Sequence, residues 1–514
     1  MISLDKLGSK VIPAAALAAA LGAHAALADV TPDEVWAGWR DYLSAAGYEV
    51  EAVETRAGDR LTVSALSMRM PIPQDEATLT LRMGDLDFVD NGDGTVAIAI
   101  APDLPLDITA VGPDGRRTDI GLSYTTRGLA INVSGQPGDL TYTYSAARLG
   151  LALRSLAVEG APLDVDKFAT ASIELASLAG VSRMSGDGLR RVEQKLTTGP
   201  MHYLFDVRKP DGSDERMVMR GETEGLDMRG TVSMPSAIDA ADMVRMLREG
   251  LAFDLALAYQ RGSSEFHFKA EDQVAQARTS SGGGDLHMAM DKDGLVYSGK
   301  IAEPSSAMAG GELPFPIEFA MRELGFHFAM PVMAGDGPQP FRLGLTLAEL
   351  SLSDMIWGIF DPTRQLPRDP ATVAVDMSGS VRLTADLFDP AQMAALDASD
   401  APPGEIDALD VAHLELRFAG AELTGKGAFT FDNSDLKTFE GMPAPDGALS
   451  LKLVGGNALI DKFVAMGLMS DDDAGGMRMM LGLFAVPGEG EDTLTSKIEV
   501  RRSGQILANG QRIK

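Results

Sequence analysis

The 514-residue sequence contains no cysteine. That absence excludes disulfides, thiolate-ligated zinc, cysteine nucleophiles and a lipid anchor carried on a cysteine. An oxidising compartment permits disulfides without requiring them, and a chain this long can bury enough surface to fold unaided. Positive charge is also scarce: 45 Lys and Arg face 74 Asp and Glu, a formal net charge of −29. Phosphate backbones and anionic lipid surfaces repel such a chain, so no nucleic acid partner is expected. The carboxylates are scattered, which reads as a solvated surface. Only Asp471-Asp472-Asp473 forms a run, between two apolar segments, where a loop is predicted.

Long apolar runs are missing except at the start. Lys6 and Lys10 precede an apolar stretch from Val11 to Ala23, and Ala26-Leu27-Ala28 offers the small residues that a signal peptidase reads. This pattern predicts a secretory signal over residues 1–28 and a processed chain beginning at Asp29. Ala23-His24-Ala25 is an alternative cleavage site; a retained anchor or a buried helix is the alternative reading of the stretch. The run falls short of the ~20 apolar residues that span a bilayer, and no stable transmembrane segment is expected after its removal. The expected location is the periplasm.

After the leader, Thr31-Pro32-Asp33-Glu34 predicts a helix start with cap, proline at N1 and returning acid at N3. Val35, Trp36, Trp39, Leu43 and Ala46 share one face, and Gly47 supplies the stop. This helix is expected to dock on the protein's own body. The period then falls to two. Leu61, Val63, Ala65, Met68 and Met70 predict a strand with one irregularity, and the phase shift at Gly84 predicts a β-bulge. Hairpin turns are expected at Asp90–Gly94, Lys209–Asp214 and Asp291–Gly294. Helices are predicted at Ser236–Glu249, capped by Ser236, at Ser351–Phe360, at Asn457–Met469 and at Gly475–Ala485. Asn509-Gly510 predicts a tight turn completing a sheet edge. The expected fold class is α+β and β-dominated, with large twisted antiparallel sheets and a few covering helices. The expected domains are 29–250, opened by the leading helix, and 251–514, with the late helices.

No catalytic constellation rises above noise, and among 74 acids nothing points to a carboxylate dyad. His202, His267, His287, His327 and His413 form no metal-binding pair, and His267 and His327 each sit between phenylalanines on an alternating segment, facing away from the rings. The Asp-Gly turns fail the calcium-loop spacing, and no phosphate-cradling or nucleophile-elbow motif occurs. Gly425-Lys426-Gly427 lies inside a strand-like run, where glycine marks close packing. No cofactor is implied. The distinctive feature is 27 methionines, several on the predicted helices. Met243, Met246, Met466, Met477, Met480 and Phe484 either fill gaps beneath the sheets or line an apolar groove that holds an acyl chain.

Val35-Trp36, Asp361-Pro362, Leu366-Pro367-Arg368-Asp369-Pro370-Ala371, Gly427-Ala428-Phe429 and Leu507-Ala508-Asn509-Gly510-Gln511-Arg512 resemble a family of exported alphaproteobacterial proteins, domain of unknown function 2125. The resemblance extends over nearly the whole processed chain and implies a Gram-negative envelope location, with no activity or site residues to transfer. The long β-segments and the arrangement after Pro445-Asp446-Gly447 are similar to AsmA-like envelope proteins, whose members are associated with lipid movement or outer-membrane assembly. The two prolines around Arg368 predict a stiff extended connector in which Arg368 and Asp369 pair or anchor the loop. The expected function is non-catalytic binding of an apolar ligand, with lipid as the candidate. The alternative is a structural or assembly module that binds another envelope protein through edge strands or a Trp36/Trp39 face. A hydrolase ranks last.

Overall fold

The computed structural model describes residues 29–514 except 73–76, 187, 210–212, 237, 239–241, 271–272 and 400. Strand accounts for 61% of it and helix for 14%, so the chain is a β-dominated α+β protein. Two units emerge. The first comprises the described residues up to Ser213 together with Glu222–Ile238; the second comprises Asp214–Gly221 together with Asp239–Lys514.

The first unit opens with α1 (Pro32–Ala45), where Thr31 accepts from the Glu34 N–H and Glu34 accepts from the Thr31 N–H at 2.9 Å. This is the reciprocal capping box that the sequence predicts. Beyond it, long strands run back and forth as antiparallel neighbours, and several are interrupted once. Gly84 and Asp85 separate Ala77–Met83 from Leu86–Asp90; Ala101 and Pro102 separate Val96–Ile100 from Asp103–Val111; Gly128 and Leu129 separate Arg117–Arg127 from Ala130–Gln136. The interruptions lie side by side. Pairing of Val63 with Leu86 and of Leu66 with Met83 sets Ala65, at φ +50°, opposite the Gly84 break. Thr126 N–H donates to Pro102 O at 2.7 Å. Interruptions aligned across strands bend a sheet along a line, and this sheet is creased, with the register at Gly84 unchanged and no bulge there. Its apolar face is filled: Val35 and Trp36 of α1 join Leu61, Phe88, Val133 and Tyr144 in one buried cluster. The Trp39 ring meets Phe88 edge-on at 5.5 Å. The short α2 (Val165–Phe168) adds one turn.

The second unit repeats the device. Gly282 N–H donates to Ala302 O, Glu303 N–H to Arg322 O, and Arg322 N–H to Ala348 O, so one line of bonds links the breaks of four neighbouring strands. Glu303 and Glu349 on that line hold φ near +50°. Among the described residues, five helices belong here: α3 (Met243–Arg248), α4 (Asp354–Phe360), α5 (Pro390–Ser399), α6 (Gly456–Ala465) and α7 (Asp471–Phe484). None of the described helices is long and apolar enough to cross a membrane.

Several local expectations are corrected. Ser236 and Ile238 are not helical; the described helix α3 is capped by Asp242, which accepts from Arg245 N–H. Residues 237 and 239–241, the turn residues 210–212 and the leader lie outside the described residues. The Asp471–Asp473 run is the first turn of α7 rather than a loop. Three carboxylates there oppose the positive end of the helix dipole, and Ser470 caps Asp473 N–H, which makes the run a helix start. α5 has no counterpart among the predicted helices. Asp369 does not receive Arg368; that guanidinium reaches Asp354 and lies over the Trp357 ring, 5.6 Å from its centroid.

Candidate apolar binding face

Residues directly opposite one another in an antiparallel sheet point to the same side, so register alone decides what a face is made of. In the second unit, Leu255 pairs with Met288, Met288 with Tyr297, Tyr297 with Phe328, Phe328 with Leu343 and Leu343 with Met377. The adjacent row runs Leu257, Leu286, Gly299, Phe326, Leu345 and Val375 and continues to Leu414. A third row carries Leu416 to Leu423, Leu453 and Leu494. One apolar floor therefore crosses ten strands, from Ala252–Tyr259 to Thr493–Val500. At a strand spacing of about 4.8 Å, the floor is roughly 40 Å wide.

The reverse face is polar. His287 Nε2 lies 2.9 Å from Asp254 Oδ1, and Arg342 donates to Asp376 at 2.9 Å. His327 pairs with Ser298 and Gly344 on this side, away from Phe326 and Phe328 as the alternation predicts. Burial and the nearby Arg342 push its pKa down, favouring the uncharged imidazole.

The apolar floor is not covered as its counterpart in the first unit is. Tyr297 is 42% exposed, Leu343 38%, Leu345 43% and Leu416 46%. Helices occupy only its margins. At one margin α3 sets Val244 and Leu247 with Val332 and Met333 against Met290 and Leu295. Buried Asp386 pins that corner, accepting from Arg248 at 2.7 Å and from Ala334 N–H at 2.8 Å. At another, Trp357 of α4 stacks on Phe418, with ring centroids 5.9 Å apart, and Leu366, Leu459 and Phe463 close around it. Buried Asp361 fixes the approach, accepting from Gln365 N–H at 2.8 Å and Leu366 N–H at 2.9 Å. The Leu-Pro-Arg-Asp-Pro segment is thus the clasp of α4.

α7 lies above the last strands and leaves a cavity of about 370 Å³ between itself and the sheet. Leu423, Leu451, Leu453, Leu494 and Ile498 form the floor, and Met477, Met480, Leu481 and Phe484 hang from the helix. The one hydroxyl on the lining, Ser496, donates to Phe484 O at 2.6 Å. Apart from that hydroxyl the lining is apolar, and the described residues hold no group of three His, Asp or Glu placed for a metal. The arrangement can take apolar matter and offers no group for proton transfer.

The six residues singled out from sequence are distributed among these margins. Met477, Met480 and Phe484 come together on the cavity beneath α7. Met466 follows α6 and packs on the Trp357 cluster. Met243 packs with the α3 cluster, and Met246 is buried in α3. Sequence reasoning missed the floor itself. Its signal was present in the alternation of Leu343, Leu345 and Leu347 and of Leu414 and Leu416. The residues share a surface only once the register is known.

The family profile of domain of unknown function 2125, described as an uncharacterized protein conserved in bacteria, matches residues 252–509. That span takes in every strand of the apolar floor. No curated protein matches the chain. Since the profile covers half of the sequence, the chain belongs to the DUF2125 family.

Proposed function

We propose that the protein binds lipid through its acyl chains, without chemistry, on the apolar floor of the second unit. One observation carries the reading: a contiguous apolar sheet face lies open on a chain whose net charge is −29. Exposed apolar patches of this extent mark binding sites, because leaving them in water is unfavourable in proportion to their area. Export to the bacterial envelope belongs to the same proposal. Its support is the basic, apolar and Ala-x-Ala order of the first 28 residues.

The test is purification under mild conditions from the envelope fraction of a Gram-negative host, followed by native mass spectrometry and organic extraction. Lipid is expected to co-purify in stoichiometric amount. Protein that emerges empty and fails to take up oleate overturns the reading. The competing reading, a module that binds another envelope protein, loses one of its surfaces, since Trp36 is 2% exposed and Trp39 packs on Phe88. A co-purifying polypeptide in place of lipid would favour it.

A further inference from the structure

α7 is an unusual surface helix. An amphipathic helix normally seats one apolar stripe on its body, yet only Ala474 of its 14 residues is buried. Met477 and Met480, which face the cavity, remain 45% and 52% exposed. The helix therefore stands off the sheet that its inner side matches chemically. Three glycines, Gly475, Gly476 and Gly482, interrupt it, and a Cβ at any of them would meet nothing within 4 Å. Packing does not demand glycine there. What glycine supplies is a helix that is easily bent or unwound.

The attachments of α7 are asymmetric. At its C-terminal end Phe484 O accepts from Ser496 at 2.6 Å and from Asn509 Nδ2 at 3.1 Å, and Val486 pairs with Thr495. At its other end a turn containing Gly467, at φ +73°, leads back to α6 and Ala474 is buried, while midway along the helix Arg478 bonds Asp461 of α6. One end is bonded to the sheet through backbone and side chain; the other is held by one small buried residue, Ala474, and the middle by a surface ion pair, which stabilises little.

We infer that α7 is a hinged flap, pivoting near Phe484, that swings off the floor to admit an acyl chain and settles over it. The inference rests on the acyl-binding reading above and adds the route of entry. The seat under α7 is the continuation of the open floor, because Leu416 pairs with Leu423 and Leu423 with Leu453. A chain lying across the strands thus reaches the cavity without leaving apolar surface. With the chain in place, Met477, Met480 and Phe484 lose their exposure and the flap gains the contacts it lacks when empty. Methionine suits that role because its flexible thioether repacks around chains of different shape.

The absence of native cysteine makes the test direct. Spin labels at Met479→Cys, 73% exposed on α7, and Lys452→Cys, on the polar face of the strand below, report their separation by pulsed electron resonance. A second pair, Leu483→Cys with Lys452→Cys, guards against a label that disturbs the helix. Oleate is the probe, and its binding is measured on the same samples. The expected result is a broad distance distribution without oleate that narrows and shifts when oleate binds. In a Gly475→Ala, Gly476→Ala, Gly482→Ala variant, oleate uptake slows by about tenfold, since alanine stiffens each position. Oleate binding with an unchanged distance distribution in both pairs overturns the flap and leaves the binding face standing. No oleate binding at all overturns the binding face, and the flap with it.

Discussion

The ring of Phe326 occupies the space above Gly299 on the adjoining strand, where a Cβ would come within 2.9 Å of it. The two are register partners, and the same relation joins Tyr259 to Gly284, Phe341 to Gly379 and Phe429 to Gly447. Glycine lets each ring lie down on the sheet instead of standing up from it. The bulkiest side chains of the floor are kept low, and the space above it stays open.

Replacing Gly299 by valine should force Phe326 upright. Overpacking of this kind costs about 1–3 kcal/mol. Urea denaturation should show that loss, and titration with a fluorescent fatty acid should show weaker binding. A Gly299→Val protein with unchanged midpoint and unchanged affinity would mean that the ring position is irrelevant.

Leu345→Lys places a charge at the middle of the floor, beside Phe326 and Val375. Because Leu345 is 43% exposed, the change in stability should stay within about 1 kcal/mol. Oleate affinity should fall by at least about tenfold, as a buried methylene-rich contact is replaced by a charge that must be desolvated. Isothermal titration calorimetry against the unaltered protein decides it.

Trp357, 5% exposed, is the keystone between α4, α6 and the sheet. Trp357→Ala should destabilise the second unit by about 3–5 kcal/mol. The measurement is the urea midpoint by circular dichroism, with Trp357→Phe as the conservative comparison. If alanine and phenylalanine behave alike, the stack on Phe418 carries little.

Asp492 caps α6 from a distant turn, accepting from Ala458 N–H at 2.9 Å and from both Asn457 nitrogens. Burial alone would raise its pKa, but the bonds from Ala458 and Asn457, with Arg478 nearby, outweigh burial and hold it below the usual aspartate range. A folded pKa below the unfolded value gives stability that is complete above about pH 4 and is lost as pH falls through the folded value. Asp492→Asn should cost ~1 kcal/mol at pH 7. Its melting temperature should also decline less steeply than that of the unaltered protein as pH drops below about 4. Parallel acid-limb slopes in thermal melts would rule out this role for the carboxylate.

Much of the fold is legible in the sequence because its causes are local. Thr31 and Glu34 are three residues apart, so the cap of α1 is written in four letters. The phase change at Gly84 marks a break in the strand, although not the bulge it suggests, because Val63–Leu86 and Leu66–Met83 keep one register across it; Asn509-Gly510 turns the chain because both residues accept positive φ. The start of α7 is misread although its cause is just as local. Three aspartates suit a loop by composition and a helix start by charge, and only the Ser470 cap tells which.

The candidate site was legible in its materials and illegible in its geometry. Sequence alone determined that the strands would have an oily and a watery side, that methionine-bearing helices would accompany them, and that no thiol chemistry could occur. It could not determine that Leu257, Leu345 and Leu414 stand in one row, since their alignment depends on hydrogen-bonded register accumulated across several strands. Nor could it say that α1 fills the creased apolar face of the first unit while α3, α4 and α7 reach only the margins of the floor in the second. Alternation is a property of neighbouring residues. Coverage depends on what the rest of the chain brings to that face, and only the tertiary structure decided it.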